Sequence, residues 1–264
     1  MRAKKRLGQH FLSDPSILDR IVDALDPGPE DTVLEIGPGT GGLTEALARR
    51  AGRVVAIERD RDLIPRLGAR LPAVEIVAGD ALTLDWPTVT GVGRFLIAGN
   101  IPYNITTPLL EKALAPPRAG RATFLVQREV GERVAAAPGG KSYGALSVGV
   151  QVVAHPECLF RVPPGAFRPP PRVDSVVLRL DPLARPLATD AEVARFRSFT
   201  GALFARRRKQ LQRSVRQLTG WPAPEVKTVL EKQGITPEHR VETLAPGVLV
   251  GLFRRLVDLG WRSG

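Results

Sequence analysis

Cysteine, methionine and tyrosine are nearly absent from the sequence, and long apolar runs are missing. The 264 residues include one cysteine, Cys158, which excludes an intrachain disulfide framework and a zinc site built from several cysteines. No apolar run approaches the ~20 residues that a transmembrane helix needs. The N-terminus is basic, but no apolar segment follows it before Ser13 and Asp14, so we expect no signal peptide. These absences predict a cytoplasmic protein without a membrane partner.

Acidic residues are outnumbered by basic ones. The chain has 38 Lys and Arg against 27 Asp and Glu, which gives a net charge of +11. This excess favours a polyanionic partner such as nucleic acid, with a merely soluble basic surface as the alternative. Residues 181–264 carry 15 basic and 8 acidic side chains, whereas residues 1–180 carry 23 and 19. The C-terminal third is therefore the more basic part per residue.

Apolar, β-branched segments alternate with amphipathic ones over the first 180 residues, which predicts a doubly wound α/β sheet of the Rossmann-like type. The predicted strands are Thr32–Ile36, Arg53–Glu58, Val74–Ala78, Arg94–Ala98, Thr123–Gln127, Leu146–Val153 and Val173–Leu180. The last two have little helix between them, so we expect them to pair antiparallel at one edge. The predicted helices of this part are Pro15–Leu25, Leu43–Ala51, Leu63–Leu71, Pro108–Leu114 and Val130–Ala136.

Only helical patterns follow the Pro-rich segment 182–186. They cover Ala191–Ala205, Arg208–Leu218, Glu225–Gln233 and Val248–Leu259. We therefore expect a Rossmann-like catalytic domain over residues 1–183, with a basic N-terminal arm over 1–13, and a small all-helical domain over residues 184–264. No heptad pattern or exposed apolar stripe is evident, which favours a monomer.

A glycine-rich turn over residues 37–42 follows the first parallel strand and opens a helix. Its glycines let the backbone turn sharply and approach a ligand, and their spacing also fits the G-x-G-x-x-G of a dinucleotide-dependent oxidoreductase. Glu58 ends the next strand, where a carboxylate binds ribose hydroxyls in either case. Glu35, two residues before the turn, is typical of methyltransferases, and Asp80 is placed to accept a hydrogen bond from an adenine amine. These two acids favour S-adenosylmethionine as the cofactor.

The segment Asn100-Ile101-Pro102-Tyr103 follows the fourth strand and has the form of an amino-methyltransferase motif. An adenine amine is a poor nucleophile because its lone pair is conjugated into the ring. The Asn100 side-chain oxygen and a backbone carbonyl beside the proline can accept both amine hydrogens, which directs the lone pair at a sulfonium methyl. Tyr103 offers a flat face for the base. The motif predicts in-line methyl transfer to adenine N6 without a strong base.

Three blocks of sequence, in this order, resemble one family. They are R-L-G-Q-H-F-L-S-D at 6–14, N-I-P-Y-N-I-T-T-P at 100–108 and F-R-P-P-P-R-V-D-S-V at 167–176. Together they resemble the ribosomal RNA adenine dimethyltransferases, most closely the type that acts on small-subunit RNA. The resemblance implies transfer of four methyl groups from S-adenosylmethionine, without a metal, to N6 of two adjacent adenosines near the 3′ end of small-subunit (16S) ribosomal RNA. It also implies S-adenosylhomocysteine as the product and a partly assembled small ribosomal subunit as the partner.

The resemblance also assigns residue roles. Carried over by position, the cofactor contacts are His10, Leu12, Gly37, Glu58, Asp80 and Asn100. The family usually has Asn where this chain has His10, which can donate or accept a hydrogen bond but introduces a titratable ring. Asn100, Tyr103 and Phe167 are assigned to catalysis. Phe167 would cover the face of the target base opposite Tyr103; its alternative role is that of a core aromatic residue.

Two basic segments are candidates for contact with RNA. Residues 206–216 hold six basic side chains and no acid, and, if the whole segment is helical, one face collects basic residues while the other is apolar. The RNA-binding residues predicted there are Arg206, Arg207, Arg208, Lys209, Arg213 and Arg216. The N-terminal arm adds Lys4, Lys5 and Arg6, which we expect to hold RNA near the methyl donor. For residues 206–216, a solvated basic surface is the alternative interpretation.

Three other functions stay open at this point. Large-subunit adenine N6-methyltransferases of the resistance type share the first two sequence blocks, although the third block and the long helical C-terminus favour the small-subunit type. A non-catalytic ribosomal RNA-binding assembly factor would not need Glu58, Asp80 and Asn100 intact. A dinucleotide-dependent oxidoreductase has only the glycine spacing in its favour.

Overall fold

The chain forms two compact units in the computed structural model, which describes residues 9–91 and 93–262. The first unit comprises the residues up to Gly131 together with His155–Pro182. The second comprises Glu132–Ala154 and the residues from Leu183 onward. The segment Glu132–Ala154, which the sequence-based division places in the first domain, therefore groups with the C-terminal helices.

A seven-stranded sheet forms the body of the first unit. Five of its strands run parallel: β2 (Thr32–Ile36), β3 (Arg53–Glu58), β4 (Glu75–Ala78), β5 (Leu96–Asn100) and β6 (Ala122–Gln127). Beyond them, β9 (Ser175–Pro182) pairs antiparallel with β6, and β7 (Ala154–Val162) is the edge strand, so the order is β4-β3-β2-β5-β6-β9-β7. The predicted Rossmann-like sheet is confirmed, and the strand order reverses between β2 and β5, where ligands bind in such folds.

Helices connect the strands of the first unit. They are α1 (Pro15–Leu25), α2 (Gly42–Ala48), α3 (Ile64–Arg70), α4 (Trp86–Thr90), α5 (Thr106–Ala113) and α6 (Arg128–Val134), the last of which crosses into the second unit. The first helix has the bounds that the sequence predicts because its ends are well marked. The Asp14 carboxylate accepts the Ser16 N–H at 2.9 Å at the N-terminus, Pro15 suits the first helical position, and Asp26 ends the helix in the left-handed region.

A short two-stranded sheet joins the N-terminal segment to the third sequence block. Strand β1 (Phe11–Leu12) pairs antiparallel with β8 (Phe167–Arg168), and Leu12 lies opposite Phe167. Next to this pair, the Ser13 N–H donates to the Ala166 carbonyl at 3.1 Å. Residues 11–13 are therefore fixed by contacts more than 150 positions away in sequence.

The second unit is helical. Its helices are α7 (Ala145–Gln151), α8 (Asp190–Phe204), α9 (Leu211–Thr219), α10 (Ala223–Lys232) and α11 (Pro246–Asp258), and an aromatic cluster packs in its core: Phe196, Phe199, Phe253 and Trp261. No helix within the two described ranges is long and apolar enough to span a bilayer.

The predicted strand Leu146–Val153 is wrong, because this segment forms α7. The Ser147 hydroxyl accepts the Gly144 N–H at 3.0 Å and so caps the helix start. The valines at 148 and 150 are fully buried, and a short apolar run that is buried on all sides fits a helix as well as a strand. The edge strand is β7, which begins directly after this helix.

The predicted helix over residues 208–218 is also shorter than expected. Helix α9 begins only at Leu211, and residues 205–208 form turns. The Lys209 N–H donates to the Arg206 carbonyl at 2.8 Å, closing one such turn. The condition for one continuous basic helix face over residues 206–216, that the whole segment is helical, is therefore not met. Contacts with a later segment fix the start of α9, because the Leu211 N–H donates to the His239 carbonyl at 2.7 Å.

Candidate active site

A cleft of about 880 Å³, including its open mouth, lies at the carboxyl ends of the parallel strands. Its walls come from residues 9–11, the glycine turn after β2, the ends of β3 and β4, and the loop that follows β5. This is the place where the strand order reverses between β2 and β5. The side chains at these strand ends are therefore the ones that can contact a bound molecule.

The glycine turn shapes one wall of the cleft. Gly37 and Gly39 both have positive φ, at 70° and 59°, which side chains rarely adopt. A Cβ on Gly39 would lie 2.9 Å from the Phe11 ring. Glycine at position 39 therefore lets the N-terminal segment lie directly against the turn.

The backbones of β2 and β5 also approach closely at the cleft. A Cβ added to Gly99, the residue before Asn100, would lie 2.8 Å from the backbone oxygen of Ile36. The ends of β2 and β5 therefore approach closely only because position 99 has no side chain.

Glu58 connects β3 to the glycine turn. One carboxylate oxygen accepts the Gly39 N–H at 3.2 Å, and the other accepts the Asp60 N–H at 2.7 Å. Burial raises the pKa of Glu58, and these two hydrogen bonds oppose the rise. The carboxylate thus lines the cleft in a fixed orientation.

Asp80, after β4, lines the cleft beside Arg59. Its Oδ1 accepts the Leu82 N–H at 2.9 Å, and its Oδ2 lies 3.2 Å from Arg59 Nη1. The Arg59 side chain is 63% exposed, so this ion pair is weak and open to exchange with a polar ligand.

Glu35 lies beneath the site and not in its wall. Its side chain is 1% exposed, and its Oε2 has no hydrogen-bond partner within the described ranges. Burial raises the pKa of Glu35 to about 8; the Thr44 hydroxyl opposes the rise and the nearby Glu58 charge adds to it. Glu35 therefore holds a proton at neutral pH.

Asn100, at the end of β5, is held by the N-terminal segment. Its Nδ2 donates to the His10 carbonyl at 2.6 Å. Because a carbonyl can only accept, this contact decides which end of the carboxamide is the nitrogen. The Oδ1 atom is therefore the end that remains available as an acceptor in the cleft.

The three sequence blocks meet around this carboxamide. The Tyr103 hydroxyl lies 2.9 Å from the Ser175 hydroxyl in the third block, and burial raises the pKa of Tyr103. The His10 ring lies nearly parallel to the Tyr103 ring, at 5.8 Å between centroids. His10 Nδ1 donates to the Pro169 carbonyl at 2.8 Å. Residues that are far apart in sequence thus form one site.

Two predicted site residues do not line the cleft. Leu12 and Phe167, which pair across β1 and β8, are buried in the apolar core, and the Phe167 side chain is 1% exposed. The structure corrects the expected position of Phe167: its ring packs in the core and cannot cover a base in this arrangement. The other predicted cofactor and catalytic residues line the cleft: His10, Gly37, Glu58, Asp80, Asn100 and Tyr103.

The predicted RNA-binding residues lie in different local structures. Lys4, Lys5 and Arg6 lie outside the described residues. The turn before α9 holds Arg206, Arg207, Arg208 and Lys209, whereas Arg213 and Arg216 lie on α9. Arg207 is paired with Glu242 at 3.2 Å. The single helix face expected for a fully helical segment is not formed, because Arg206 and Lys209 precede α9.

Sequence reasoning missed the polar and aromatic residues that support the site. Gln9 and Phe11 lie inside the first sequence block, yet nothing in that block shows what they contact. Gln9 Nε2 donates to the buried Asp60 carboxylate at 3.1 Å, and Arg59 faces Asp80. The one available signal is position, because Arg59 and Asp60 directly follow the acidic end of β3. Across the described ranges, no group of three or more His, Cys, Asp or Glu residues could hold a metal ion.

The sequence and the fold match known proteins over nearly the whole chain. A family described as "Ribosomal RNA adenine dimethylase" matches residues 1–258. A ribosomal RNA small subunit methyltransferase A from Myxococcus xanthus (strain DK1622) is 40% identical over 262 residues, covering 98% of this chain and 93% of the relative.

Two solved structures are also similar. A dimethyladenosine transferase from Plasmodium falciparum aligns with a TM-score of 0.85 at 27% identity, covering 97% of this chain and 100% of that one. The 23S rRNA methyltransferase ErmE aligns with a TM-score of 0.74 at 30% identity, covering 94% and 99%. With its three sequence blocks joined around one cleft, this chain belongs to the ribosomal RNA adenine dimethylases, a family of S-adenosylmethionine-dependent enzymes.

Proposed function

We propose that this enzyme transfers methyl groups from S-adenosylmethionine to N6 of two adjacent adenosines near the 3′ end of small-subunit ribosomal RNA. The observation that carries the proposal is the orientation of Asn100. The Asn100 side-chain nitrogen donates to the His10 carbonyl, so the side-chain oxygen can accept a hydrogen bond from an adenine amine. The Myxococcus relative, named for the small subunit, is more similar in sequence than ErmE, which supports the small-subunit substrate over the large-subunit one.

The residues around the cleft fit S-adenosylmethionine. When bound, this cofactor supplies an electrophilic methyl group on a positively charged sulfur. The glycine turn offers backbone without side chains, and the two carboxylates at the ends of β3 and β4 suit the hydroxyls and the amine of an adenosine group. Glu58 and Asp80 would hold these groups, with His10 and Gly37 completing the contacts; a contact from Leu12 stays a prediction.

Asn100 and the loop after it act on the acceptor base. The Asn100 Oδ1 accepts one N6 hydrogen, and the backbone carbonyl beside Pro102 accepts the other. Positive charge develops on N6 during transfer, so these fixed dipoles stabilise the transition state. The face of Tyr103 supports the base by stacking. The methylated nitrogen is acidic enough to lose its proton to water, and no residue of the chain has to act as a strong base.

The RNA has to present an extruded adenosine to this cleft. Basic side chains in the turn before α9 and on α9 would bind its phosphates, which position RNA without reading its sequence. The N-terminal arm would add a second set of phosphate contacts. We further infer that the enzyme acts as a cytoplasmic monomer on a partly assembled small subunit, in accord with the sequence-based expectations.

Incubation with a labelled methyl donor tests this function. The enzyme is mixed with unmodified small-subunit particles, with free small-subunit RNA, or with large-subunit RNA, and the methylated nucleosides are then identified and mapped. We expect N6,N6-dimethyladenosine at two adjacent positions of the small-subunit particle. Methylation of large-subunit RNA alone would indicate the resistance type, and S-adenosylmethionine binding without any methyl transfer would indicate an assembly factor.

A further inference from the structure

Gln9, which lines the cleft, and Asp60 form a polar contact that the reaction described above does not use. Asp60 is 4% exposed. Its Oδ2 accepts Gln9 Nε2 at 3.1 Å, and its Oδ1 accepts the Asp62 N–H at 3.1 Å. The Asp60 N–H in turn donates to Glu58 at 2.7 Å. A nearly buried carboxylate is unfavourable unless hydrogen bonds compensate it, so this contact is held firmly.

Gln9 directly precedes His10, whose main-chain carbonyl orients Asn100. That carbonyl accepts a hydrogen bond from Asn100 Nδ2 at 2.6 Å. On its C-terminal side the same segment is fixed by Ser13, whose N–H donates to the Ala166 carbonyl at 3.1 Å. The Gln9 hydrogen bond therefore attaches residues 9–13 at their N-terminal end to the segment that follows β3.

A continuous series of hydrogen bonds connects the cofactor side of the cleft with Asn100 on the acceptor side. Glu58 accepts the N–H of Gly39 in the glycine turn, and it also accepts the N–H of Asp60. Asp60 binds Gln9, and the next residue orients Asn100. A shift of the segment by about 1 Å would move the His10 carbonyl away from the carboxamide and let the carboxamide rotate, and displacements of that size can cost a large part of the rate.

We propose that Gln9 and Asp60 are a pair of positioning residues for methyl transfer. Their hydrogen bond fixes the His10 carbonyl, which fixes the Asn100 oxygen toward the target amine. The pair also ties the orientation of the acceptor group to the strand that holds the cofactor. This inference rests on the proposed methyl transfer and on the role of Asn100 in it.

A reciprocal exchange of donor and acceptor tests the pair. Gln9→Glu places two carboxylates against each other, and we expect turnover at saturating cofactor and RNA to fall about tenfold or more. Asp60→Asn alone should lower turnover less than Gln9→Glu does, because it brings no second negative charge and its side-chain oxygen can still accept the Asp62 N–H. The double variant Gln9→Glu/Asp60→Asn restores a donor opposite an acceptor, and it should recover most of the lost turnover.

Three further measurements separate positioning from folding and from cofactor binding. Gln233→Glu, the same change at an exposed glutamine, should leave turnover within about twofold. Calorimetry with S-adenosylmethionine should show that Gln9→Glu changes cofactor affinity less than it changes turnover. The melting temperatures of all variants establish that they are folded.

The possible outcomes are distinct. Recovery in the double variant, with turnover as the main change, supports the inference. Wild-type turnover in Gln9→Glu, no recovery in the double variant, or a loss confined to cofactor affinity would overturn it. Failure of the proposed function itself would be recognised separately, because the wild-type enzyme would then transfer no methyl groups in the same assay.

Discussion

The two compact units differ in the polar groups that they bury. Within the described ranges, the acidic side chains that the first unit buries are at most 5% exposed: Glu35, Glu58 and Asp60. The polar residues that the second unit buries as a whole, within the same ranges, carry hydroxyl groups: Ser147, Thr200 and Ser214. An ionised carboxyl group is unfavourable to bury, and a neutral one still needs hydrogen bonds. The first unit therefore places buried acids at and beneath its cleft, whereas the described part of the second unit buries no acidic side chain to that extent.

The largest expected effect is the loss of turnover when the Asn100 carboxamide in the first unit is removed. We expect Asn100→Ala to lower turnover by ~10²-fold or more, because the transition state loses a fixed acceptor dipole. The affinity for S-adenosylmethionine should fall as well, because Asn100 is also a predicted cofactor contact, but by less than turnover. Single-turnover rates with small-subunit particles, alongside calorimetry, measure both quantities. Near-normal turnover would remove Asn100 from the mechanism.

Replacement of Glu35 should show how much the burial of this acid lowers the free energy of unfolding. The pKa of Glu35 is about 8 in the folded protein against an ordinary value of 4.5. Between these values the unfolded chain releases the proton while the folded chain keeps it, so stability falls as pH rises through this window.

Glu35→Gln removes this titration. We expect it to raise the free energy of unfolding by on the order of 3 kcal/mol at pH 8, with the gain disappearing toward pH 4.5. Urea unfolding at pH 5 and pH 8 measures the difference. An equal gain at both pH values would show that the effect is one of packing and not of charge.

Charge reversal in the second unit should change RNA binding and leave the chemistry intact. For Arg206→Glu/Lys209→Glu/Arg213→Glu, we expect RNA affinity to fall about tenfold or more, because phosphate contacts are lost. The dependence of affinity on salt should become shallower for the same reason. Titrations at several salt concentrations measure both, with Lys227→Glu/Lys232→Glu on α10 as the control. An unchanged salt dependence would mean that the phosphates bind elsewhere.

The smallest expected effect concerns an ion pair on the surface of the second unit. Two hydrogen bonds from Arg254, at 2.7 and 2.8 Å, hold the pKa of Glu192 at about 2. We expect Glu192→Gln to lower the free energy of unfolding by about 1 kcal/mol at pH 7, because solvent screens the partly exposed pair.

The sign of the pH dependence follows from the lowered pKa of Glu192. The stabilisation is present above the ordinary value of 4.5 and is lost as pH falls toward 2. Thermal unfolding of both proteins at pH 7 and pH 3 should therefore show a difference that shrinks with acidification. A constant difference would assign the effect to the hydrogen bond that Glu192 accepts from the Thr189 N–H at 2.8 Å, at the start of α8, and not to the charge.

Local sequence signals account for most of the first unit. Strands β2 and β3 and helix α1 have the predicted bounds, because β-branched runs and an Asp-Pro cap determine these elements within a few neighbouring residues. The predicted strand at 146–153 and the predicted helix start at Arg208 are wrong for the opposite reason. Their conformation depends on what packs against them, and neither the burial of α7 nor the contacts around α9 can be read from adjacent residues.

The site shows the same division. The residues at strand ends, such as Glu58, Asp80 and Asn100, were predictable because parallel strands end at one edge of the sheet. The contact between Gln9 and Asp60 could not be predicted, because the two residues are 51 positions apart in sequence. The burial of Phe167 could not be predicted either, because it depends on the pairing of β8 with the distant strand β1.

The atom that holds Asn100 belongs to the main chain of His10. Every amino acid supplies that oxygen, so a change of side chain at position 10 leaves the grip on the carboxamide in place. The imidazole of this chain, in place of the amide that the resemblance to the family implies, therefore does not remove the hydrogen bond to Asn100. A substitution at position 10 can change the ring that lines the cleft, while the main-chain oxygen continues to orient the carboxamide.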